Sequence, residues 1–383
     1  MTNKYKQTPI GLIPSDWEVK KLLDVSKNRN SSLSISSLLE NNGNYTLYGA
    51  SGFLKCINFY EEKEEYISIV KDGAGVGRVY LCEKCSSVLG TMSYIKPIDK
   101  NISLSYLYFL FQTIDFEKYI TGSTIPHIYF SSYSLKNVPI PPLPEQQKIA
   151  SILSTWDDAI NNCKSVLEGL NSRKKWLAIE LLFRSYKEDI NIEQPLLKLV
   201  DRVKYSFNPE PNKLYKQIGI RSHCKGIFYK EEVTGKSLGN KSVFYIEPNC
   251  FIVNIVFAWE QAIAKTTTKE VGMIASHRFP MFKPKEGILD LNYLLHFFKS
   301  KKGKDLLEMA SPGGAGRNKT LGQSEFLKLQ IPVPSFQRQK FIAEVLDKTD
   351  YEIELYRQKL LAFQIQKKGI MQQLLTGKTR VKI

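Results

Sequence analysis

The sequence predicts an α+β protein in which two similar globular α/β domains are joined by two long helices, paired as an antiparallel coiled coil with a pseudo-twofold plan. Three observations predict it: a proline-punctuated segment that occurs twice, a heptad seam that follows each occurrence, and fainter echoes ahead of each. The segment VPIPPLPEQQKIASIL at 138–153 returns 193 residues later as IPVPSFQRQKFIAEVL at 331–346. The match needs no gap for more than 40 residues: Pro139 and Pro141 fall on Pro332 and Pro334, Gln146 on Gln339, and Asp157 on Asp350. Internal repetition of this kind fixes architecture before any single element is assigned.

In chain order, the first globular domain is expected at 1–137 and the first helix, behind its prolines, at 138–190. The second domain follows at 191–330 and the second helix at 331–383. Within the domains, SLSYLYFLF at 103–111 parallels DLNYLLHFF at 290–298, IKP at 95–97 parallels FKP at 282–284, and VKKLLD at 19–24 parallels LLKLVD at 196–201. The offset drifts from 177 to 187 to 193, as it does when loops change length and elements persist. The heads have diverged and the helices have not. That pattern suits two different targets held at a fixed geometry.

The first helix places Ile149, Leu153, Trp156, Ile160, Cys163, Leu167, Leu170, Lys174, Leu177 and Leu181 at steps of four and three; the second places Ile342, Leu346, Thr349, Ile353, Tyr356, Leu360, Phe363, Lys367, Ile370 and Leu374 likewise. A 3.5-residue repeat is the seam of a coiled coil. Pro144 and Glu145 suit a first helical turn, and Gly377 suits a stop. At 35 to 40 residues each, the helices are roughly 50 to 60 Å long. An antiparallel pair spares the second domain a journey along the whole helix. Aligning equivalent ends sets Lys174 opposite Thr349 and Lys367 opposite Trp156, with a cation–π contact expected in the latter pair.

Composition narrows the function. With 383 residues, 43% hydrophobic and 24% charged, the chain has material for two to three soluble domains. The longest apolar run, at 251–259, is far short of the ~20 residues that span a bilayer, and the N-terminus has no secretory pattern, so a cytoplasmic protein without membrane contact is expected. Six cysteines, including the lone pair in CEKC at 82–85, predict neither a disulfide framework nor a metal site. The net charge of +16 points to a polyanion. It is uneven: +2 over 1–143, zero over 144–190, +9 over 191–336 and +5 over 337–383.

No catalytic pattern stands out. KDGAGVGRVYL at 71–81 follows YISIV and precedes an apolar strand pattern, so it reads as two strands joined by a glycine-rich turn rather than a phosphate loop opening a helix. Lys71 and Arg78 on it could still touch phosphate. GKS at 235–237 and GKT at 377–379 lack the upstream glycine of a P-loop. Each domain also carries a polar loop after its aromatic helix, TGSTIPHIYFSSYS at 121–134 and SPGGAGRNKTLGQS at 311–324. Ser123, Thr124, His127, Arg317, Asn318 and Lys319 on these loops can donate to phosphates or base edges. Lys216, Arg221, His223, Lys225, Lys241 and Arg278 are further basic candidates in the second domain.

Over essentially its whole length the chain resembles the specificity subunits of type I restriction-modification systems. The residues that carry the resemblance are IPPLPEQQKIASIL and IPVPSFQRQKFIAEVL with their helices, and IPSDWEVKKLLD at 13–24. The second domain opens on EQPLLKLVD, without the Trp-Glu pair. The resemblance implies a non-catalytic chain whose two target recognition domains each read one half of a bipartite, asymmetric site in double-stranded DNA. The helices would set the unread spacer and dock two modification (methyltransferase) subunits, with restriction (translocase/nuclease) subunits joining the full complex. It implies no cofactor in this chain, S-adenosylmethionine, ATP and Mg2+ serving the partner subunits. The reading that competes with it is a coiled-coil adaptor that grips proteins and no nucleic acid.

Overall fold

The computed structural model describes residues 4–184, 193–239, 242–313 and 319–383. The chain divides into two compact units that do not follow chain order: 1–164 with 358–383, and 165–357. Each long helix is therefore shared between the units. The first runs Leu143–Ile179, followed by a π-helical turn at Glu180–Arg184, and the second runs Phe336–Leu375. Among the described residues, no helix is long and apolar enough to cross a membrane.

The first unit opens with strands β1 (Tyr5–Thr8), β2 (Gly11–Pro14) and β3 (Glu18–Lys21). Then come β4 (Ser26–Asn30), β5 (Tyr45–Gly49), β6 (Gly52–Ile57), β7 (Tyr66–Val70), β8 (Val79–Cys82), β9 (Ser87–Val88) and β10 (Met92–Pro97). Helix α1 (Leu104–Gln112) and β11 (Asn137–Ile140) complete the head. A four-stranded sheet is ordered β4-β10-β7-β8, a second β6-β5-β9, and β3 pairs with β11. β7, YISIV, is buried at every position, as a strand covered on both faces must be. Trp17, Tyr106, Phe109 and Phe111 fill the core beneath it with Ile149 and Leu153 of the first long helix and Leu374 and Leu375 of the second.

In the second unit, β12 (Glu193–Pro195), β13 (Val200–Val203), β14 (Tyr205–Ser206), β15 (Leu214–Ile220) and β16 (Ile227–Thr234) come first. They are followed by β17 (Val243–Tyr245), β18 (Phe251–Val253), β19 (Ile263–Lys265), β20 (Ile274–Ser276) and β21 (Met281–Pro284). Helix α2 (Leu291–Lys299) and β22 (Gln330–Pro332) complete it. The four-stranded sheet β13-β21-β18-β19 repeats the order of the first unit's sheet, and β12 pairs with β22 as β3 does with β11. Parallel pairing of β5 with β9 recurs as β15 with β20. The duplication is thus visible in strand connectivity as well as in the helices.

The ladders correct one alignment. Lys21 lies opposite Asn137 and Pro195 opposite Gln330, which makes the offset at the domain openings 174, three less than sequence matching gives. Leu22 then corresponds to Leu196, and both are fully buried. The similar letters of VKKLLD and LLKLVD misled because backbone pairing, not side-chain likeness, fixes register.

The repeated glutamine has one job in both units. Gln146 Nε2 donates to the carbonyls of Asn101 and Pro141, 3.0 and 2.9 Å, while its Oε1 accepts from Ser103 N at 2.9 Å. Gln339 donates to Ile288 and Pro334, both at 2.9 Å, and accepts from Asp290 N at 2.8 Å. Ser103 and Asp290 are the N-caps of α1 and α2. Tyr106 and Tyr293 in those helices donate to the carbonyls of Pro139 and Pro332. Glutamine and tyrosine thus tie carbonyls of the proline segment to the N-terminal part of the head's helix.

Burial follows the heptads. Leu153, Ile160 and Leu167 in the first long helix are buried, as are Leu346, Thr349 and Ile353 in the second; Trp156, Lys174, Leu360 and Lys367 are half-buried. Pairing is antiparallel in each unit, with ion pairs between residues that the expected register sets side by side. Lys174 pairs with Asp350, the neighbour of Thr349, and Arg173 lies 3.7 Å from Glu352. Lys367 pairs with Asp157, the neighbour of Trp156, at 2.5 Å. Nor is Trp156 the ring that meets the ammonium: Lys367 lies 5.1 Å from the centre of Phe109, while Trp156 packs edge-on to Phe363. A half-buried ammonium is held better by a carboxylate than by an indole face. Asp157 and Asp350 are themselves repeat equivalents, so the same ion pair is used twice.

Burial pushes the Asp350 carboxyl up, but the hydrogen bond from Lys174 and the charges of Lys299 and Lys174 outweigh it and hold the group below its usual range. Its contribution is therefore complete above the unfolded value of about 3.9 and is lost as pH falls through the lowered folded value. Hydrogen exchange of unit-two amides is expected to show stability falling below about pH 4. Asp350→Asn should remove that part of the slope while costing about 2 kcal/mol at neutral pH.

Candidate nucleic-acid interface

In the first head, three loops separated in sequence meet. The glycine-rich stretch joins β7 to β8 as a turn with no helix after it. Gly73 N donates to Pro126 O at 2.9 Å, Ile128 N to Lys71 O at 2.9 Å, and Thr121 and His127 exchange two backbone bonds. The turn of the β5–β6 hairpin is tied in by Arg78 Nη1 and Tyr80 Oη, which donate to Ala50 O at 3.2 and 2.9 Å. Gly77, at φ +85°, passes so close to Phe116 that a Cβ would lie 2.8 Å from it. Here the glycines serve close packing and turn geometry.

The charges in this cluster face one another. Asp72 accepts from Lys71 Nζ at 2.9 Å and lies 2.7 Å from His127 Nδ1. Burial pushes the Asp72 carboxyl up, but the His127 and Lys71 contacts outweigh it and hold it below its ordinary value. Lys71 and His127 thus share one carboxylate within the fold.

The second head brings the topologically equivalent loops together. Here the β15–β16 turn is longer: six residues, 221–226, replace the two-residue turn of Ala50 and Ser51. His223 N donates to Glu260 O at 2.7 Å and Cys224 N to Gln261 O at 3.0 Å, in the β18–β19 connection. Leu321 N, from the polar loop, donates to Ile255 O in that same connection. His223, Cys224 and Gln261 all have left-handed backbone, with φ of 59°, 56° and 57°. Such conformations in non-glycine residues persist where surrounding contacts over-determine them, and they cluster at functional sites.

Of the sequence candidates, Lys71, Arg78 and His127 come together in the first head, with Ser123 and Thr124 on the exposed part of the same loop. Arg221, His223 and Lys225 line one cleft of about 450 Å3 in the second. Arg278 is not among the residues that line it; its carbonyl accepts from Ile255 N. Lys216 lies along β15 with its ammonium 5.5 Å from the Tyr229 ring, away from the cleft wall. Lys319 is 5.6 Å from the Trp259 ring and paired to Glu308. Lys241, Arg317 and Asn318 lie outside the described residues. Sequence reading missed Asp72, Lys230, Phe228 and Phe257. Only Asp72, beside Lys71, left a local signal; the others meet the cleft through folding.

The family profile described as type I restriction modification DNA specificity domain matches residues 14–170 and 214–362. A putative type I restriction enzyme MjaX specificity subunit of Methanocaldococcus jannaschii is 25% identical over 99% of this chain and 97% of its own length. The MjaVIII specificity subunit of the same organism is 26% identical over 97% and 94%. The crystal structure of a type I restriction-modification S subunit from M. genitalium superposes with a TM-score of 0.65 at 15% identity, covering 98% of this chain and 99% of that one, a likeness of fold.

Proposed function

The chain belongs to the type I restriction modification DNA specificity family, and on that premise we propose that its two heads each read one half of a bipartite, asymmetric DNA site. The long helices set the unread spacer between the halves. The observation that carries this reading is the repeated three-loop cluster: equivalent loops converge in both heads on unlike side chains. A protein that read one sequence twice would have no use for that divergence.

The chemistry belongs to partners. Two modification subunits and, in the full complex, restriction subunits are the expected company, and S-adenosylmethionine, ATP and Mg2+ would bind them and not this chain. Support for docking comes from large apolar side chains left exposed off the seam: Trp176 and Tyr351 in one unit, Leu361 and Ile365 in the other.

Mapping methylated bases in DNA from cells that express this chain with its modification subunit tests the reading. A two-part motif with an unread gap is expected. Replacing 1–137 with another head should change one half of the motif and leave the other and the gap intact. A contiguous motif, or a change in both halves, overturns it.

A further inference from the structure

The cleft of the second head is lined by Arg221, His223, Lys225 and Lys230 together with Phe228 and Phe257. Among the described residues no carboxylate pairs with any of these four basic side chains, whereas Lys71 and His127 in the first head share Asp72. The hairpin that carries them is common to both heads, with longer strands in the second and a turn of six residues in place of two. The enlargement brings three of the four basic residues, so this is where the second head gained a ligand that the first does not share.

The arginine is also oriented. Phe228 lies across the paired strand on Gly219, where an added Cβ would fall 2.3 Å from its ring, and the Arg221 guanidinium sits 5.2 Å from that ring's centre. An arginine restrained on an aromatic face keeps its N–H fork available for one planar, bidentate acceptor. On double-stranded DNA a phosphate and the O6/N7 edge of guanine both match such a fork, and only guanine's edge carries sequence. Lysine ammonium groups lack the fork and suit phosphate as point charges.

Resting on the reading above, we propose that Arg221 reads a guanine in the half-site of the second head, with Lys225 and Lys230 holding flanking phosphates. The left-handed 223–224 backbone, pinned to residues 260–261, fixes the turn before DNA arrives.

The test uses the chain co-expressed with its modification subunit, with methylated bases mapped genome-wide and DNA binding of the complex measured against salt. Arg221→Lys, which keeps charge and loses the fork, is expected to relax one G position by tenfold or more, only in the half-site that stays when residues 1–137 are exchanged. Gly219→Ala, which displaces Phe228 and adds no polar group or charge, should relax the same position. Lys230→Gln should leave the motif intact and lower the salt slope by about 1. An unchanged motif in both Arg221→Lys and Arg221→Ala, or uniform weakening without a change at one base, overturns the guanine assignment and leaves bipartite reading standing. No two-part motif from the unmodified chain overturns both.

Discussion

Arg380→Met should loosen the first unit by about 3 kcal/mol and leave the second untouched. Glu145 is fully buried at the start of the first long helix. Its carboxylate accepts from Trp17 Nε1 at 2.9 Å and from Arg380 Nε and Nη2 at 2.7 and 2.8 Å. Arg380 also forks onto Asp16 at 2.8 and 2.9 Å. The two carboxylates raise the Arg380 pKa above its ordinary value. One network thus ties the opening strand region, the helix entrance and the C-terminal tail. Removing the arginine leaves a buried carboxylate without its cation, which costs about 3–5 kcal/mol in general. The lower end applies because solvent reaches Arg380. Amide exchange in 4–164 should speed up roughly a hundredfold, at 1.4 kcal/mol per factor of ten, with 193–313 unchanged. Adding Glu145→Gln should recover part of the loss. Unchanged protection in the single variant would remove the network from the account. The repeat equivalent of Glu145 is Arg338 and the second domain opens without a tryptophan, so this lock is used once.

Gln339→Leu and Gln146→Leu should each cost about 3 kcal/mol or more, confined to the unit that carries the change. Each glutamine is buried and closes three bonds to backbone groups, and an orphaned buried polar group costs about 1–3 kcal/mol. Leucine restores bulk and no bond, so shape alone cannot compensate. Hydrogen exchange at the N-terminal turns of α1 and α2 reads each lock separately. If only one variant weakened its unit the two glutamines would not be equivalent, and if neither did the lock itself would fall. This equivalence gives the repeated segment its physical meaning. Its glutamine ties the carbonyl of the second matched proline to the N-cap amide of the head's helix, closing the joint between head and long helix.

The long helices were the most legible part of the chain. A seam repeats every 3.5 residues whatever lies at its ends, so burial of Leu153, Ile160, Leu346 and Ile353 could be read in advance. The glycine-rich turn between β7 and β8 was legible for a similar reason, since strand patterns bound it on both sides. What each seam lysine touches was not. Periodicity puts a lysine on the seam and does not say which neighbour on the facing helix its long side chain reaches. The domain openings were misaligned by three residues because similar letters were matched where strand pairing sets the register.

The candidate interface divides along this line. Residue type and position in the repeat were enough to single out Lys71, His127, Arg221, His223 and Lys225. Their state was decided elsewhere. Asp72 reaches both Lys71 and His127 because a strand turn and a distant loop are bridged, and Arg221 rests near Phe228 because Gly219 leaves room. By itself the sequence determined the duplication, the two seams and where charge accumulates, because these depend on local pattern. Only the tertiary structure decided which charges are paired within the fold and which, among the described residues, have no carboxylate beside them, because that depends on distances between groups the chain brings together from far apart.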